Sequence, residues 1–263
     1  METIHEQIVK WANEYVPKFN NLSKLYATPY CTQSPLDSIN GQVDFMVIGI
    51  NPKGNAGIGA RMLSVDEYLK GNPSWKERFS VENKIRWNFN QKARFFLGHD
   101  DYYHPEHIDN DERTVWTNLS PFESKQGNND LKKELMQEGL KSTLDLIEIL
   151  RPKRIVLLGI NAFQQIEKAM GNNGSVEYTF VFDNIKSQVG RINRIPTVCV
   201  PHPSGHWEGN CHTFISMFIF LHGLAEITNK SNVVKPLKEV VETMRKEMRS
   251  WQKNILIKED TDE

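Results

Sequence analysis

Two stretches of this chain, DFMVIGI (Asp44–Ile50) and RIVLLGI (Arg154–Ile160), each set four large apolar side chains in unbroken succession. A strand with one wetted face alternates apolar and polar residues, so a continuous run implies a strand covered on both faces. Two more runs are of the same kind. RTVWTNL (Arg113–Leu119) is β-rich and stops at Ser-Pro, and IPTVCVPH (Ile195–His202) is bounded by proline on both sides. Helical spacing fills much of the intervening sequence. In DLKKELMQEGLKSTLDLIEIL (Asp130–Leu150), Leu131, Leu135, Leu140, Leu144, Ile147 and Leu150 are the apolar positions. NAFQQIEKAM (Asn161–Met170) follows the third run and HTFISMFIFLHGLAEI (His212–Ile227) the fourth. Strands alternating with helices predict an α/β fold, a three-layer α/β/α arrangement around a central four-stranded, mostly parallel sheet with right-handed crossovers.

The sequence shows no internal repeat and no low-complexity linker, so one domain over residues 1–263 is expected. A chain of that length buries roughly 70–75% of its unfolded surface. An N-terminal helix is expected over about residues 2–19, with Ile4, Ile8, Trp11 and Val16 on one side, and a basic helix over about 235–258. Residues 62–105 are polar, aromatic-rich and carry no clear periodicity.

The formal net charge of −1 supplies no whole-protein field towards nucleic acid or membrane, so an anionic partner must be met by a local patch. The three cysteines, Cys31, Cys199 and Cys211, form no CxxC pair, which argues against a disulfide framework or a four-cysteine metal site. The first residues are unlike a secretory signal and no apolar run approaches the ~18 residues that cross a bilayer. A soluble, cytoplasmic, monomeric protein without membrane partner, metal or cofactor is the expectation.

In an open parallel sheet, ligands bind beyond the carboxyl ends of the strands. The residues to examine are therefore Gly49, Ile50, Asn51, Pro52, Lys53 and Gly54 after the first run and Asn118, Ser120 and Pro121 after the second. Gly159 and Asn161 follow the third, and His202, Pro203, Ser204, Gly205, His206 and Trp207 the fourth. Their amide and imidazole groups can hydrogen-bond a heterocycle or polarise a carbonyl. Taken one at a time, Gly-x-Asn-Pro is a common turn, Asn118 a turn cap and His202 a strand-end histidine. Their convergence on one edge is what suggests a site.

The motifs GINPKG (Gly49–Gly54), TNLSP (Thr117–Pro121) and HPSGHW (His202–Trp207), in that order, resemble the uracil-DNA glycosylase superfamily, and most closely its single-strand-selective and mismatch-specific branches. The resemblance covers the chain from about Val43 to Trp207 and implies a monofunctional, metal-free DNA glycosylase on a parallel α/β/α sheet. Such an enzyme takes a flipped or single-stranded base into a pocket at the sheet edge and cleaves its N-glycosidic bond. The resemblance gives Asn51 the positioning of water and His202 the donation of a hydrogen bond to the departing base. It gives Asn118, with Gly49 and Ile50, base recognition, the amide matching uracil O4 and N3–H. DNA contact falls to Pro52, Lys53, Pro203, Ser204 and Gly205, and His206-Trp207 becomes the wedge that fills the vacated stack. Lys53 stands where the family has glycine. The aromatic that stacks on the base has Tyr68, Phe95 and Phe96 as its candidates.

The alternatives are a nucleic-acid- or nucleotide-binding protein that keeps the fold without the chemistry, and a hydrolase or transferase of free nucleosides, which would need an acidic residue where Asn51 stands. Two other clusters suggest metal: His99–Asp111, with His104 and His107 three apart, and His202, His206 and His212. A solvated loop explains the first better, and Pro203 and Gly205 break the helix that the second would need. In the closing segment, Lys235, Lys238, Arg245, Lys246, Arg249, Lys253 and Lys258 outnumber Glu239, Glu242 and Glu247, a pattern more often a solvated helix face than a phosphate-binding one.

Overall fold

The computed structural model describes residues 2–32, 34–52, 54, 59–72, 113–124, 131–171, 174–182, 185–200 and 202. Helix α1 spans Ile4–Tyr26, strand β1 Phe45–Gly49, helix α2 Val65–Leu69 and strand β2 Thr114–Asn118. Helix α3 spans Lys133–Leu150, strand β3 Arg154–Leu158, helix α4 Asn161–Met170, and strands β4, β5 and β6 Gly174–Phe182, Ile185–Ile192 and Ile195–Val200.

These strands form one mixed sheet of six in the order β2-β1-β3-β6-β5-β4. The four apolar runs make β2, β1, β3 and β6, and every pairing among them is parallel. The sheet is thus α/β as expected, but larger than the four strands expected. The extra pair is an antiparallel hairpin, β4–β5, whose second strand pairs antiparallel with β6. Its sequence, GSVEYTFVF and IKSQVGRI, mixes charged and polar residues into each strand and lacks the continuous apolar run that marks a strand buried on both faces.

Register settles which residues share a face. Met46, Ile48, Val115, Ile155, Leu157 and Cys199 belong to one core cluster with Ile8, Trp11, Tyr15 and Phe19 of α1, Leu135, Leu140, Leu146 and Ile147 of α3, and Ala162, Phe163 and Ile166 of α4. On the opposite face Phe45, Val47, Trp116, Val156, Leu158, Val198 and Val200 are buried as well, which accounts for the unbroken apolar runs. Each such side chain contributes about 1.5–3 kcal/mol when fully buried. Cys199 lies deep enough that burial pushes its thiol up to about 12, so it acts as a small apolar residue.

Helix α1 runs past Phe19 to Tyr26, further than the pattern predicted, and passes through Pro17. Its start is fixed by a capping box, in which the Thr3 side chain accepts from Glu6 N–H and the Glu6 carboxylate accepts from Thr3 N–H. Beyond Pro17, burial of Phe19 and Ser23 holds the last turns in place. The helix docks on α3 through Trp11 Nε1, which donates to Ser142 O at 2.9 Å, and through Tyr15 OH, which donates to Asp145.

The outer edge of β2 is occupied. Ser34 N–H donates to Trp116 O at 3.1 Å, and Trp116 N–H donates to Ser34 Oγ at 2.7 Å. Further along, Cys31 N–H donates to Pro121 O and Glu123 N–H to Pro29 O, so the segment after α1 runs beside β2 and the loop that follows it. At the other end of the sheet, Asp44 precedes β1 and binds Arg113 and, at 2.8 Å, Lys153, joining the starts of three neighbouring strands.

Lys53, Pro203, Ser204, Gly205, His206 and Trp207 lie outside the described residues, as do Phe95, Phe96, the His99–Asp111 cluster, His212 and the segments expected as helices at residues 212–227 and 235–258.

Candidate functional site

Ladder register brings the sequence-derived candidates to one edge. Ile48, Thr117, Leu157 and Cys199 share a row across four strands, and Gly49, Asn118, Leu158 and Val200 form the next. Asn51 and His202 each lie two residues beyond that row. Adjacent strands are ~4.8 Å apart, so Asn118 on β2 and the end of β6 are separated by about 14 Å at the sheet.

Asn118 is 9% exposed, and its side chain lies on the same face as Gly49. A Cβ at residue 49 would overlap Asn118 Oδ1 and stand 3.6 Å from its Cγ, so the glycine makes room for the amide. Thr143 of α3 fixes the backbone below by donating from Oγ1 to Asn118 O at 2.9 Å. Among the described residues none hydrogen-bonds the Asn118 amide, which carries one donor end and one acceptor end.

The GINPKG loop is tied to the loop after β2 along its length. Leu119 N–H donates to Gly49 O (2.8 Å), Ser120 N–H to Ile50 O (3.0 Å), Ser124 N–H to Pro52 O (3.1 Å) and Gly54 N–H to Ser124 O (3.1 Å). Half-buried Asn51 sits inside this ladder. Its Nδ2 donates to Ser124 Oγ at 2.7 Å and to the carbonyl oxygens of Pro52 and Phe122 at 3.2 and 3.4 Å. Carbonyls only accept, so they fix which end of the amide is nitrogen, and Oδ1 is the end left to accept from a ligand or water.

Three features of this edge were not legible beforehand. Ser124 anchors Asn51. The Glu123 carboxylate lies directly over Gly54, where a Cβ would overlap it, which places an acidic group on the same loop pair. Phe122 carries the carbonyl that Asn51 binds and is itself packed edge-on against Phe19, with ring centroids 5.5 Å apart at 86°.

Ser120 serves structure, its buried hydroxyl donating to Leu135 O at 2.9 Å. Gly159 adopts φ +111°, conformation that disfavours any side chain, and its N–H donates to Val200 O at 2.7 Å. Asn161 is exposed at the first turn of α4. Tyr68 is removed from the stacking candidates. It is 4% exposed, packed against Trp11, Phe19 and Tyr30 at 5.8–5.9 Å, and its neighbours in that aromatic cluster leave no face for a base.

His202 keeps solvent access, yet enough protein surrounds it to desolvate the imidazole and hold its pKa below the ordinary histidine value. Neutral imidazole is thereby favoured, the form that donates one hydrogen bond without carrying charge. Among the described residues there is no grouping of three or more His, Cys, Asp and Glu able to hold a metal ion, and no helix long and apolar enough to cross a membrane. No protein-family model matches the chain, and no curated protein matches it.

Proposed function

We propose that the protein is a DNA glycosylase of the uracil-DNA glycosylase type, hydrolysing the N-glycosidic bond of uracil or a related damaged base, with DNA as its partner and no cofactor. The observation that carries this reading is the Asn118 amide, nine-tenths buried, seated over Gly49 and unclaimed by the described protein. An amide in that condition rejects a base that cannot satisfy both its donor and its acceptor, because the mismatch leaves a buried polar group unpaired.

The remaining roles belong to the same proposal. With Nδ2 donating to Ser124 Oγ and to the Pro52 and Phe122 carbonyls, Asn51 presents Oδ1, which holds a water by accepting one of its hydrogens. Neutral His202 donates to the base oxygen as negative charge accumulates there, and one such donor is worth about 2.7–4 kcal/mol of barrier. An amide does not deprotonate water, so bond cleavage runs ahead of water attack and the sugar bears oxocarbenium character.

A second reading is a nucleic-acid- or nucleotide-binding protein of the same fold without excision. The staple from Asn51 to Ser124 and Phe122 favours it, since that bond pattern serves loop structure as well as catalysis. Uracil-containing single- and double-stranded oligonucleotides, followed by alkaline cleavage of abasic sites, separate the two. Strand breaks lost in Asn51→Ala and His202→Ala are the expected result. Binding without breaks on uracil, hypoxanthine and xanthine substrates supports the second reading instead.

A further inference from the structure

At the opposite edge of the sheet, around the start of β6, lies a cleft of about 680 Å³ lined by Glu148 and Arg151 of the α3 terminus, Ser175 of β4, Arg191 of β5 and the turn residues Asn193 and Arg194. Strand β6 has six residues, so this cleft is about 20 Å from the His202 edge and independent of the function proposed above. Arg151, Arg191 and Arg194 line it beside Glu148, which is engaged by Asn193 Nδ2, while Arg191 is also paired with Glu177.

The backbone shows that these arginines are not incidental. Ile192 and Ile195 pair across a two-residue hairpin, with Asn193 at φ 48° and Arg194 at φ 68°. Positive φ at both central residues makes this a turn of the I′ kind, whose second position is ordinarily glycine. Arg151 occupies the left-handed position that ends α3, at φ 41°, again a place where glycine is the default. Among the described residues only four non-glycine positions have positive φ, and three of them line this cleft. Two of the three are arginine. Left-handed strain of this kind persists where it serves a site.

The guanidiniums also retain donor capacity. Arg191 uses Nε on Glu177 (3.1 Å) and Nη1 on Arg194 O (3.3 Å), and Arg151 uses Nε on Glu148 O (3.3 Å). Among the described residues Arg194 makes no side-chain hydrogen bond. Each guanidinium has five N–H donors in a planar fork suited to phosphate.

We propose that this cleft is a phosphate-binding site for a ligand carrying more than one phosphate group. Beside Glu148 and Glu177, a single carboxylate would use only part of the N–H donors the three arginines still have, whereas a di- or triphosphate, or successive phosphates of a nucleic-acid backbone, would engage all three. The volume lies within the usual range for small-ligand pockets.

The test is isothermal titration of the full-length chain with inorganic pyrophosphate and, separately, with a single-stranded oligonucleotide lacking damaged bases, both at low salt. Affinity should fall at least tenfold in Arg194→Gly and in Arg191→Gln. In phosphate-free buffer Arg194→Gly should melt above the parent, because the strained turn gains the residue its backbone favours. Pyrophosphate binding that the variants weaken assigns a free phosphate compound. Oligonucleotide binding weakened in the same way, without pyrophosphate binding, assigns a nucleic-acid backbone. Binding by neither probe, binding that both variants leave unchanged, or an Arg194→Gly protein that melts lower overturns the proposal. Asn118→Ala, at the other edge, should leave cleft binding intact whatever its effect on excision.

Discussion

The side chain of Asn118 occupies the space that a β-carbon on Gly49 would fill, so these two residues of neighbouring strands form one structural unit. Gly49→Ala should push the amide out of place without disturbing the parallel ladder. The expected cost in stability is about 1–3 kcal/mol, typical of overpacking. Excision of the preferred base should drop more steeply than DNA binding, which oligonucleotide cleavage and fluorescence anisotropy on one preparation would separate. Equal losses in both would show that Gly49 serves folding alone.

Ser124 is the closest partner of the Asn51 amide, at 2.7 Å. Ser124→Ala should remove about 0.5–1.5 kcal/mol, the net worth of one hydrogen bond, measurable as a shift in the urea midpoint. Because two carbonyls still hold Nδ2, the amide should keep its orientation and excision should survive at a reduced rate. Asn51→Ala should abolish it.

The pH profile should carry the mark of His202. Its depressed imidazole pKa means that the neutral donor persists below the ordinary histidine value of ~6.5. The acid limb of kcat/KM should therefore lie below that value and disappear from the residual activity of His202→Gln. An acid limb at or above 6.5 would remove His202 from the proposed role.

Asp44 predicts the acid limb of stability. Burial alone would raise its carboxyl, but Lys153 and Arg113 outweigh burial and hold it below the usual carboxylate range. A carboxyl with a depressed folded pKa adds stability above its unfolded value, ~3.9, which is lost as pH falls through the folded value. Urea midpoints measured from pH 6 down to pH 3 should decline less steeply for Asp44→Asn than for the parent. Raising the salt should shrink the difference, since both cations are about half exposed.

The strands buried on both faces were legible because double coverage leaves an unmistakable mark in sequence, from Phe45–Ile48 to Val198–Val200. The β4–β5 hairpin escaped because its strands interleave polar residues, and the antiparallel pairing of β5 with β6 escaped because the turn between them uses Asn193-Arg194 where Asn-Gly would have signalled it. Asn51 and Asn118 could be nominated from their place after strands, whereas Gly49 as the seat of Asn118 depends on a strand register that no local pattern encodes. Tyr68 illustrates the reverse error. The family resemblance made it one of three candidates for a stacking aromatic, but packing with Trp11, Phe19 and Tyr30 drew it into the core.

The edge-on contact of Phe19 with Phe122 has a consequence for how the protein comes into being. Phe122 supplies the carbonyl that orients Asn51, and Phe19 belongs to a helix that is synthesised well before β2. That helix must wait for β2 and its following loop to be synthesised before it finds its aromatic partner. Order at the sheet edge is then a late event in biogenesis, and a chain lacking α1 would carry every edge residue and yet leave them unaimed.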